Sequence, residues 1–300
     1  MNELIMGSTS RIAYEFIKHS IENGSFCIPV SRSRNASEFM HHDLIADQIN
    51  CDFTNGIASI EEILKTRSVD RIVYFACSNA LRTAPVSEQD KINADPVSKV
   101  IKMVQKHSEG TKLVYISSDF ATGVQGNVSE DTTSLTPVDD YGRSKRNGEL
   151  ATRSYDDGYV VRVGNVLGTR RDFLSAVVLG LKQKGEFSAW TNVYNTFTWA
   201  GQLMRVLDKL RDYNGKQRIF HAASSDAPMS RYAFCIDFVE TIGKDLGFTR
   251  DQIKPVRAPF EGDRILQLST KITKRELGFE PTPIKNEIKQ NIDKYRALLP

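Results

Sequence analysis

A tyrosine and a lysine stand four residues apart in the segment DYGRSKRNGE, which runs from Asp140 to Glu149. On a helix, Tyr141 and Lys145 would share one face, a single turn apart. An ammonium group beside a phenol favours the phenolate and lowers the tyrosine pKa from about 10, so that the phenol can act as an acid near neutral pH. The alternative is a capped surface helix in which the tyrosine packs and the lysine is hydrated.

The segment YISSD places Ser117 and Ser118 at the end of an apolar stretch that is typical of a strand. In a parallel α/β sheet the carboxyl ends of the strands face the ligand crevice, and alternation sends the two serines to opposite faces. A serine hydroxyl at this place can hold the carbonyl oxygen of a substrate that is being reduced. Ser118, Tyr141 and Lys145 together therefore favour the catalytic interpretation, with Tyr141 as the proton donor.

The segment LIMGSTSRIAYEF joins a strand to a helix through a short turn. Gly7 allows a tight turn and a close backbone approach, and backbone N–H groups at a helix start can hold a pyrophosphate. In a G-x-x-G-x-x-G fingerprint, Ser10 and Ala13 occupy the second and third glycine positions. The turn predicts cofactor contacts from Gly7, Ser10, Arg11 and Ile12, with an ordinary strand–helix turn as the alternative.

The end of the second strand, PVSRSR, carries two arginines and no acid. An acidic residue here would accept a hydrogen bond from the ribose of NAD, whereas arginine pairs with the 2′-phosphate of NADP. Arg32 and Arg34 therefore predict NADP(H), with NAD(H) as the alternative cofactor and two hydrated arginines as the non-functional one. Asp52 is placed to contact adenine, unless it is an ordinary loop aspartate, and Phe53 and Ala76 complete the predicted cofactor contacts.

Short apolar runs alternate with helical patterns through the first half of the chain. This rhythm predicts parallel βαβ units in an α/β, Rossmann-like doubly wound sheet. From about Thr169 the alternation loosens. We expect a dinucleotide-binding domain over residues 1–168 and a smaller, mainly C-terminal substrate-binding lobe over residues 169–300.

The composition excludes several classes of protein. Charged residues make up 26% and hydrophobic residues 40%, and the net charge of +3 is too weak to argue for nucleic-acid binding. No apolar run approaches the roughly 20 residues of a membrane span, and the N-terminus lacks the pattern of a signal peptide. The four scattered cysteines show neither metal spacing nor a disulfide framework, so we interpret them as reduced core residues. We therefore expect a cytoplasmic protein with no metal, no nucleic-acid partner and no membrane contact.

The Y-x-x-x-K of YGRSK, the following GE and the strand serine together resemble the extended short-chain dehydrogenase/reductase superfamily. The IN that ends at Asn93 is similar to the structural asparagine of that superfamily, and VVRVGNVLG, ending at Gly168, is similar to its post-catalytic strand and loop. The resemblance covers nearly the whole chain. It implies nicotinamide chemistry in which Lys145 also holds the nicotinamide ribose.

Within this superfamily, dTDP-4-dehydrorhamnose reductase and its relatives are the group that the chain resembles best. YISSDF is similar to the S-T-D-Y strand end of that group, with Ser118 at the threonine position. NVYNTFTWAGQLMRVL resembles the D-Q-x-x-x-P-T segment, with Thr198 matching and Phe197 in place of proline. GDRILQLSTKITKRELGFEPTP resembles the closing R-P-x-x-x-x-L stretch, with Arg264 in place and Ile265 instead of proline.

This resemblance implies that Arg264 lies near the diphosphate of a nucleotide-sugar substrate and that Thr198 helps to shape the same pocket. The alternative for Arg264 is a surface ion pair with Asp263 or Glu261.

Three reactions share the Tyr–Lys pair, namely reduction, epimerisation and dehydration. A sugar-nucleotide 4,6-dehydratase would resemble S-T-D-E, but Phe120 occupies the glutamate position, so the elimination lacks its base. We therefore expect NADPH-dependent reduction of a keto group on a nucleotide-linked deoxysugar. An epimerase of the same fold and a non-catalytic NADP-binding regulatory subunit remain as alternatives, and a homodimer stays open.

Overall fold

The computed structural model describes residues 1–32, 42–77, 83–123, 126–132, 135–137, 139–259 and 261–299. Within these ranges no helix is both long enough and apolar enough to span a membrane.

Strand and helix regions follow one another as far as residue 163, with the second strand followed directly by the third and the third helix by the fourth, and the order is less regular beyond it. The strands are β1 Asn2–Met6, β2 Phe26–Ser31, β3 Ile49–Asn50, β4 Arg71–Tyr74, β5 Lys112–Ser118, β6 Gly126–Val128, β7 Gly158–Val163, β8 Asn165–Leu167, β9 Phe187–Trp190, β10 Val193–Asn195, β11 Phe197–Trp199, β12 Ile219–Ala222, β13 Met229–Ser230, β14 Ile253–Val256 and β15 Arg264–Leu268. The helices are α1 Arg11–Glu22, α2 Ala58–Thr66, α3 Val86–Asn93, α4 Asp95–His107, α5 Asp140–Arg153, α6 Phe173–Lys184, α7 Ala200–Lys209, α8 Arg231–Thr241, α9 Lys271–Leu277, α10 Ile284–Gln290 and α11 Asp293–Arg296. Three single 3₁₀ turns cover Asp119–Ala121, Gly243–Leu246 and Arg250–Gln252.

The central sheet has seven strands in the order β12-β7-β5-β4-β1-β2-β3. Strand β1 pairs in parallel with β2 on one side and with β4 on the other, so the strand order reverses between β1 and β4. In an open α/β sheet, ligands bind beyond the carboxyl ends of the strands at this reversal. The predicted Rossmann-like doubly wound fold is confirmed.

Gly7 follows β1 at the point where the strand order reverses. Its φ of +84° lies in the left-handed region, and a Cβ on this residue would lie 2.5 Å from the backbone nitrogen of Ala76, just beyond β4. Any side chain here would force the two strand ends apart, so the turn requires glycine. The sheet therefore brings two of the predicted cofactor residues into direct contact.

Contacts divide the chain into two compact units that interleave along the sequence. The first comprises Met1–Gly123, Thr133–Arg162 and Arg211–Phe220. The second comprises Val124–Thr132, Val163–Leu210 and His221–Pro300. The assignment of residues 1–168 to a cofactor domain and 169–300 to a substrate lobe remains a prediction.

Each unit has its own apolar core. In the first, residues of β1, β2, β4 and β5 pack with α2 and α4, and Leu4, Ile72, Val100 and Leu113 are fully buried. In the second, residues of α6, α8 and α10 pack around Phe197, whose ring stacks on Phe234 at 4.3 Å between centroids. The phenylalanine that replaces the family proline is thus a core residue.

The second unit contains a four-stranded sheet in the order β13-β10-β15-β6 and two parallel strand pairs, β11 with β8 and β14 with β9. Residues of β10 and β15 pair in parallel, with Val193 opposite Arg264. This register sets the position of the arginine that the sequence assigns to substrate binding.

Candidate active site

Helix α5 carries Tyr141 and Lys145 on consecutive turns, as their spacing predicts. The Asp139 carboxylate caps the helix by accepting a hydrogen bond from the backbone N–H of Gly142 at 2.7 Å. A Cβ on Gly142 would lie 2.3 Å from the carbonyl oxygen of Phe120. The helix start therefore packs closely on the 3₁₀ turn that follows β5.

Tyr141 is half-buried and has two neighbours that bear on its chemistry. The Cys77 thiol, just after β4, lies 3.9 Å from the phenol oxygen and can donate a weak hydrogen bond to it. The ring of Phe120 meets the Tyr141 ring edge-on at 6.0 Å between centroids. Both strand ends that flank the phenol thus contribute a side chain to its surroundings.

Cys77 is a site residue that the sequence analysis missed. We interpreted all four cysteines as core residues, which holds for the buried Cys27, Cys51 and Cys235 but not for the half-buried Cys77. Its apolar surroundings in RIVYFAC give the wrong impression, because the strand itself ends at Tyr74. The position of a residue just beyond a central strand could have indicated a place at the ligand edge.

Lys145 lies with its ammonium in the interior, where its side chain contacts two consecutive residues of β5. Nζ donates a hydrogen bond to the carbonyl oxygen of Ile116 at 2.7 Å and lies 4.1 Å from the ring centroid of Tyr115. Burial lowers the pKa of this lysine, while Cys77 and Glu149 act in the opposite direction. The structure thus holds the Lys145 amino group away from water, one turn from Tyr141 on the same helix.

Ser118 ends β5 and caps the 3₁₀ turn that follows it. Its hydroxyl donates to a carboxylate oxygen of Asp119 at 2.9 Å and accepts from the backbone N–H of Phe120 at 3.3 Å. Phe120 in turn contacts Tyr141. The three predicted catalytic residues therefore belong to one continuous set of contacts within the first unit.

The neighbouring Ser117 has a different partner, as strand alternation predicts. Its hydroxyl donates to Glu149 at 2.6 Å, on the turn of α5 after Lys145. Arg162 on β7 donates to both oxygens of the same carboxylate, at 2.9 and 2.8 Å. Burial alone would raise the pKa of Glu149, but Arg162, Ser117 and Arg146 outweigh it and hold the pKa below its usual value. A buried ion pair thus joins the catalytic helix to the sheet.

The turn after β1 fits the phosphates of a dinucleotide. Its glycine lies against Ala76 with no room for a side chain. Ser10 caps α1 by accepting from the backbone N–H of Ala13 at 3.1 Å, and the N–H groups of Arg11 and Ile12 lie in the same first turn. First-turn N–H groups have no partner within a helix and the helix dipole favours an anion there.

The Ser8 hydroxyl supports this interpretation of the turn. It is buried and has no hydrogen-bond partner among the described residues. Gly7 and Ser8 both donate their N–H groups to the carbonyl of Val30, so β2 fixes the shape of the turn. The residues present therefore fit a bound dinucleotide.

The adenosine-side residues are only partly described. Arg32 is exposed at the end of β2, and Arg34 lies outside the described residues. Asp52 accepts hydrogen bonds from the hydroxyl and the N–H of Thr54, which lower its pKa, and Arg32 adds to this effect. Phe53 packs into the core with its ring 6.0 Å from that of Tyr74, which leaves its backbone as the part that can reach a ligand.

The two predicted substrate residues lie in the second unit. Thr198 is fully buried, and its hydroxyl donates to the carbonyl of Ala222 and accepts from the N–H of Gly164 at 3.0 Å. Its side chain therefore joins β11 to its neighbours. Arg264 is half-buried at the start of β15, while Asp263, a suggested partner, lies 3.6 Å from Arg257.

The family model described as the RmlD substrate binding domain matches residues 1–297. The chain belongs to this family. No curated protein matches the chain. Membership confirms the resemblance to dTDP-4-dehydrorhamnose reductases and the expected enzyme class, an NAD(P)-dependent oxidoreductase.

Solved structures similar to this RmlD-family chain come from three classes of reaction. The dTDP-glucose 4,6-dehydratase DesIV from Streptomyces venezuelae, with NAD bound, is 16% identical with a TM-score of 0.82, over 99% of this chain and 97% of that chain. A UDP-glucuronic acid 4-epimerase from Bacillus cereus, with UDP-glucuronic acid and NAD, is 15% identical with a TM-score of 0.81, over 99% of this chain and 100% of that chain. A dTDP-4-dehydrorhamnose reductase from Clostridium acetobutylicum is 18% identical with a TM-score of 0.75, over 99% of this chain and 100% of that chain. At these identities the similarity establishes the fold of the RmlD-family chain, and the reaction must be argued from its own residues.

Proposed function

We propose that this protein is an NADPH-dependent reductase of a keto group on a nucleotide-linked deoxysugar. The observation that carries the proposal is the buried ammonium of Lys145, held on β5 one helical turn from Tyr141 and close to the strand end that bears Ser118. Keeping a charged amine out of water costs free energy, and buried titratable groups with shifted pKa values are common at catalytic sites. The proposed reaction explains why this lysine is buried.

Each side chain has a defined part in the reduction. The Ser118 hydroxyl turns its proton from the Asp119 carboxylate to the keto oxygen and orients that oxygen, and Tyr141 gives its proton to the same oxygen as the alcohol forms. A reduced nicotinamide, when bound, supplies the hydride for the carbonyl carbon. Protonated Lys145 stabilises the phenolate that Tyr141 becomes, until a solvent proton restores the phenol.

Phe120 favours reduction over dehydration. In the 4,6-dehydratase pattern this position carries the glutamate that removes a proton for elimination. Here an apolar ring occupies it and lies edge-on to Tyr141. A phenylalanine cannot take up a proton, so this position argues against dehydration and supports the proposed reduction over it.

Family membership supports a nucleotide-linked sugar as the substrate, since the family is named for the substrate-binding domain of RmlD. The similar solved proteins bind or act on dTDP- and UDP-linked sugars. Arg264 is our candidate for the substrate diphosphate, and Arg32 with Arg34 is our candidate for the 2′-phosphate that distinguishes NADPH from NADH.

Tyr141→Phe tests the proposed mechanism. Purified protein is incubated with NADPH and a panel of nucleotide-linked 4-keto sugars, and cofactor oxidation is followed by absorbance. We expect the variant to lose about 10²–10⁴-fold in kcat while its NADPH affinity stays near that of the wild type, because one hydroxyl is removed and little packing changes. Tyr159→Phe, which removes a phenol hydroxyl directed at the Tyr213 carbonyl, is the matched control and should keep its activity.

The same assay separates the alternatives. With nucleotide-linked hydroxy sugars in place of the keto sugars and NAD(P)⁺ in place of NADPH, inversion of a sugar hydroxyl without net reduction of the cofactor, detected by NMR, would identify an epimerase. NADPH binding with no turnover in either wild type or variant would identify a regulatory subunit. Near wild-type reduction by Tyr141→Phe would exclude the proposed proton donor.

A further inference from the structure

Tyr115 contacts the ammonium of Lys145, a contact that the spacing of Tyr141 and Lys145 along the sequence does not predict. Nζ lies 4.1 Å from the centroid of the ring, well inside the range of a cation–π interaction. Such contacts are strongest when the cation is desolvated, and the Lys145 side chain is buried. The ring therefore occupies one side of the cation that the proposed mechanism requires.

The ammonium has little other compensation for the loss of water. Among the residues that the structure describes, no carboxylate forms an ion pair with it, and its one hydrogen bond goes to the neutral carbonyl of Ile116. The titratable groups around it are Cys77 beyond β4, Tyr115 on β5 and Glu149 on α5, and Tyr141 lies one turn earlier on the same helix. Glu149 already binds Arg162 through both oxygens.

Tyr115 is itself held in a fixed place. It is fully buried, its hydroxyl donates to the carbonyl of Asn93 at 2.9 Å, and its ring stacks on that of Tyr74 at 5.7 Å. A Cβ on Gly148 would lie 2.4 Å from the Tyr115 hydroxyl, so the catalytic helix carries glycine where it passes this group. The Tyr115 side chain is therefore packed closely against α5, on the turn that follows Lys145.

The ring also stays neutral over the working range of pH. Burial raises the pKa of Tyr115 well above its usual value, and the neighbouring Tyr74 and Cys77 add to this. A neutral aromatic face attracts a cation and does not take a proton from the Lys145 ammonium.

We propose that Tyr115 is a positioning residue, whose ring holds the Lys145 ammonium in place and favours its charged form. This inference rests on the proposed function, in which protonated Lys145 stabilises the Tyr141 phenolate and binds the nicotinamide ribose. The ring acts through Lys145 and has no contact with the substrate in this scheme.

The test is the pH dependence of NADPH affinity in the full-length protein, measured by fluorescence or calorimetry. Deprotonation of Lys145 should weaken NADPH binding as the pH rises, with a midpoint that reports the lysine. Tyr115→Phe keeps the ring and should keep the midpoint. Tyr115→Leu, and a ring-fluorinated phenylalanine at position 115, should move the midpoint down by about one pH unit, because the first removes the ring and the second depletes its face of electrons.

The fluorinated variant keeps the shape of the ring, so the test holds even if Tyr115→Leu does not fold. A midpoint unchanged by fluorination would overturn the role of Tyr115 and leave the proposed function standing. Lys145→Met should abolish the pH dependence. If it instead bound NADPH with the wild-type pH dependence, the lysine's part in the proposed function and the inference built on it would both be wrong.

Discussion

In the proposed function, Lys145 serves the chemistry at the expense of stability. Burial lowers its pKa, so the folded protein holds this proton less tightly than the unfolded chain, whose lysines titrate near 10.5. Between the folded and unfolded pKa values the unfolded state binds more protons, and stability therefore rises with pH through that window. Below the window the cost of the buried charge is fully present.

We expect Lys145→Met to raise the thermal unfolding midpoint at pH 7 while it lowers kcat by roughly 100-fold or more and weakens NADPH binding. The methionine fills the same space without a charge. Calorimetry across pH 7–10 checks the first effect, and the rise of stability through the lysine window should be absent from the variant. Lys91→Met, which changes an exposed lysine on α3, is the control and should alter neither property. A clear loss of stability in Lys145→Met would contradict this account.

Arg32 is the single residue on which the expected preference for NADPH over NADH chiefly depends. An arginine–phosphate contact is charge-assisted, and its loss costs roughly 1.5–3 kcal/mol, so Arg32→Ala should reduce the preference for NADPH over NADH about tenfold to hundredfold. The dissociation constants of both cofactors are the measurement. Equal affinities in the wild type would remove the assignment, and an unchanged preference in the variant would move the role to Arg34.

A substitution at Asp52 should change the cofactor preference in the opposite direction to one at Arg32. The arginine lies close enough to help lower the pKa of this carboxylate. A negative charge there opposes a 2′-phosphate, so Asp52→Asn should shift the preference further toward NADPH.

Helix α5 shows how an element holds catalytic residues in register. The buried pair of Glu149 and Arg162 fixes the helix to β7, and the Ser117 hydroxyl ties the same carboxylate to β5. Tyr141 and Lys145 precede this anchor on the same helix. Their positions against β5 thus depend on a contact that takes no part in the reaction.

A double-mutant cycle measures this anchor. Glu149→Leu and Arg162→Met should each cost about 3–5 kcal/mol of unfolding free energy, because each leaves its partner charged and buried. The double variant should cost less than the sum of the two single variants, since it removes both charges.

The pair should also make the free energy of unfolding depend on pH. Because the folded pKa of Glu149 is depressed, the stabilisation that its carboxylate gives is present above about pH 4.3 and is lost as the pH falls through the folded pKa. Glu240→Gln, in an exposed pair with Arg250, is the control and should cost at most about 1 kcal/mol. Additive costs at Glu149 and Arg162 would show that the pair does not act as a unit.

The whole molecule consists of two units that interleave along the chain, and our proposals divide between them. Cofactor and proton-transfer residues belong to the first unit, and the substrate candidates Thr198 and Arg264 belong to the second. A chain arranged in this way should allow substrate affinity to change without a change in cofactor affinity.

We therefore expect Arg264→Ala to raise KM for the sugar nucleotide about tenfold to hundredfold and to leave NADPH affinity unchanged. The free nucleoside diphosphate should compete with substrate in the wild type and compete poorly in the variant. Arg257→Ala removes a nearby arginine that pairs with Asp263 and serves as the control, with an unchanged KM. An unchanged KM in Arg264→Ala would remove that residue from the site.

Most of the secondary structure of the first unit follows from local patterns in the sequence. Apolar runs and helical spacing predict its alternating elements, because burial on both faces of a parallel sheet requires such runs. The stretch VVRVGNVLG is an exception, since it resembles a strand and a loop but contributes to two strands, β7 and β8, broken at Gly164. A Cβ on Gly164 would lie 1.9 Å from the carbonyl of Thr196, a contact that no local pattern reveals.

The sequence by itself determined the alternation of strands and helices that predicts a doubly wound fold, the strand-to-helix turn at Gly7 and the single helical face that Tyr141 shares with Lys145, since each depends on neighbours within a few residues. The tertiary structure decided that Gly7 abuts Ala76, that Cys77 meets the phenol, that Arg162 anchors the catalytic helix and that the Tyr115 ring lies against the ammonium. These contacts join residues from different strands and helices. Only the order and register of the strands in the folded sheet bring such residues together, and neither quantity is encoded in the spacing of residues along one segment.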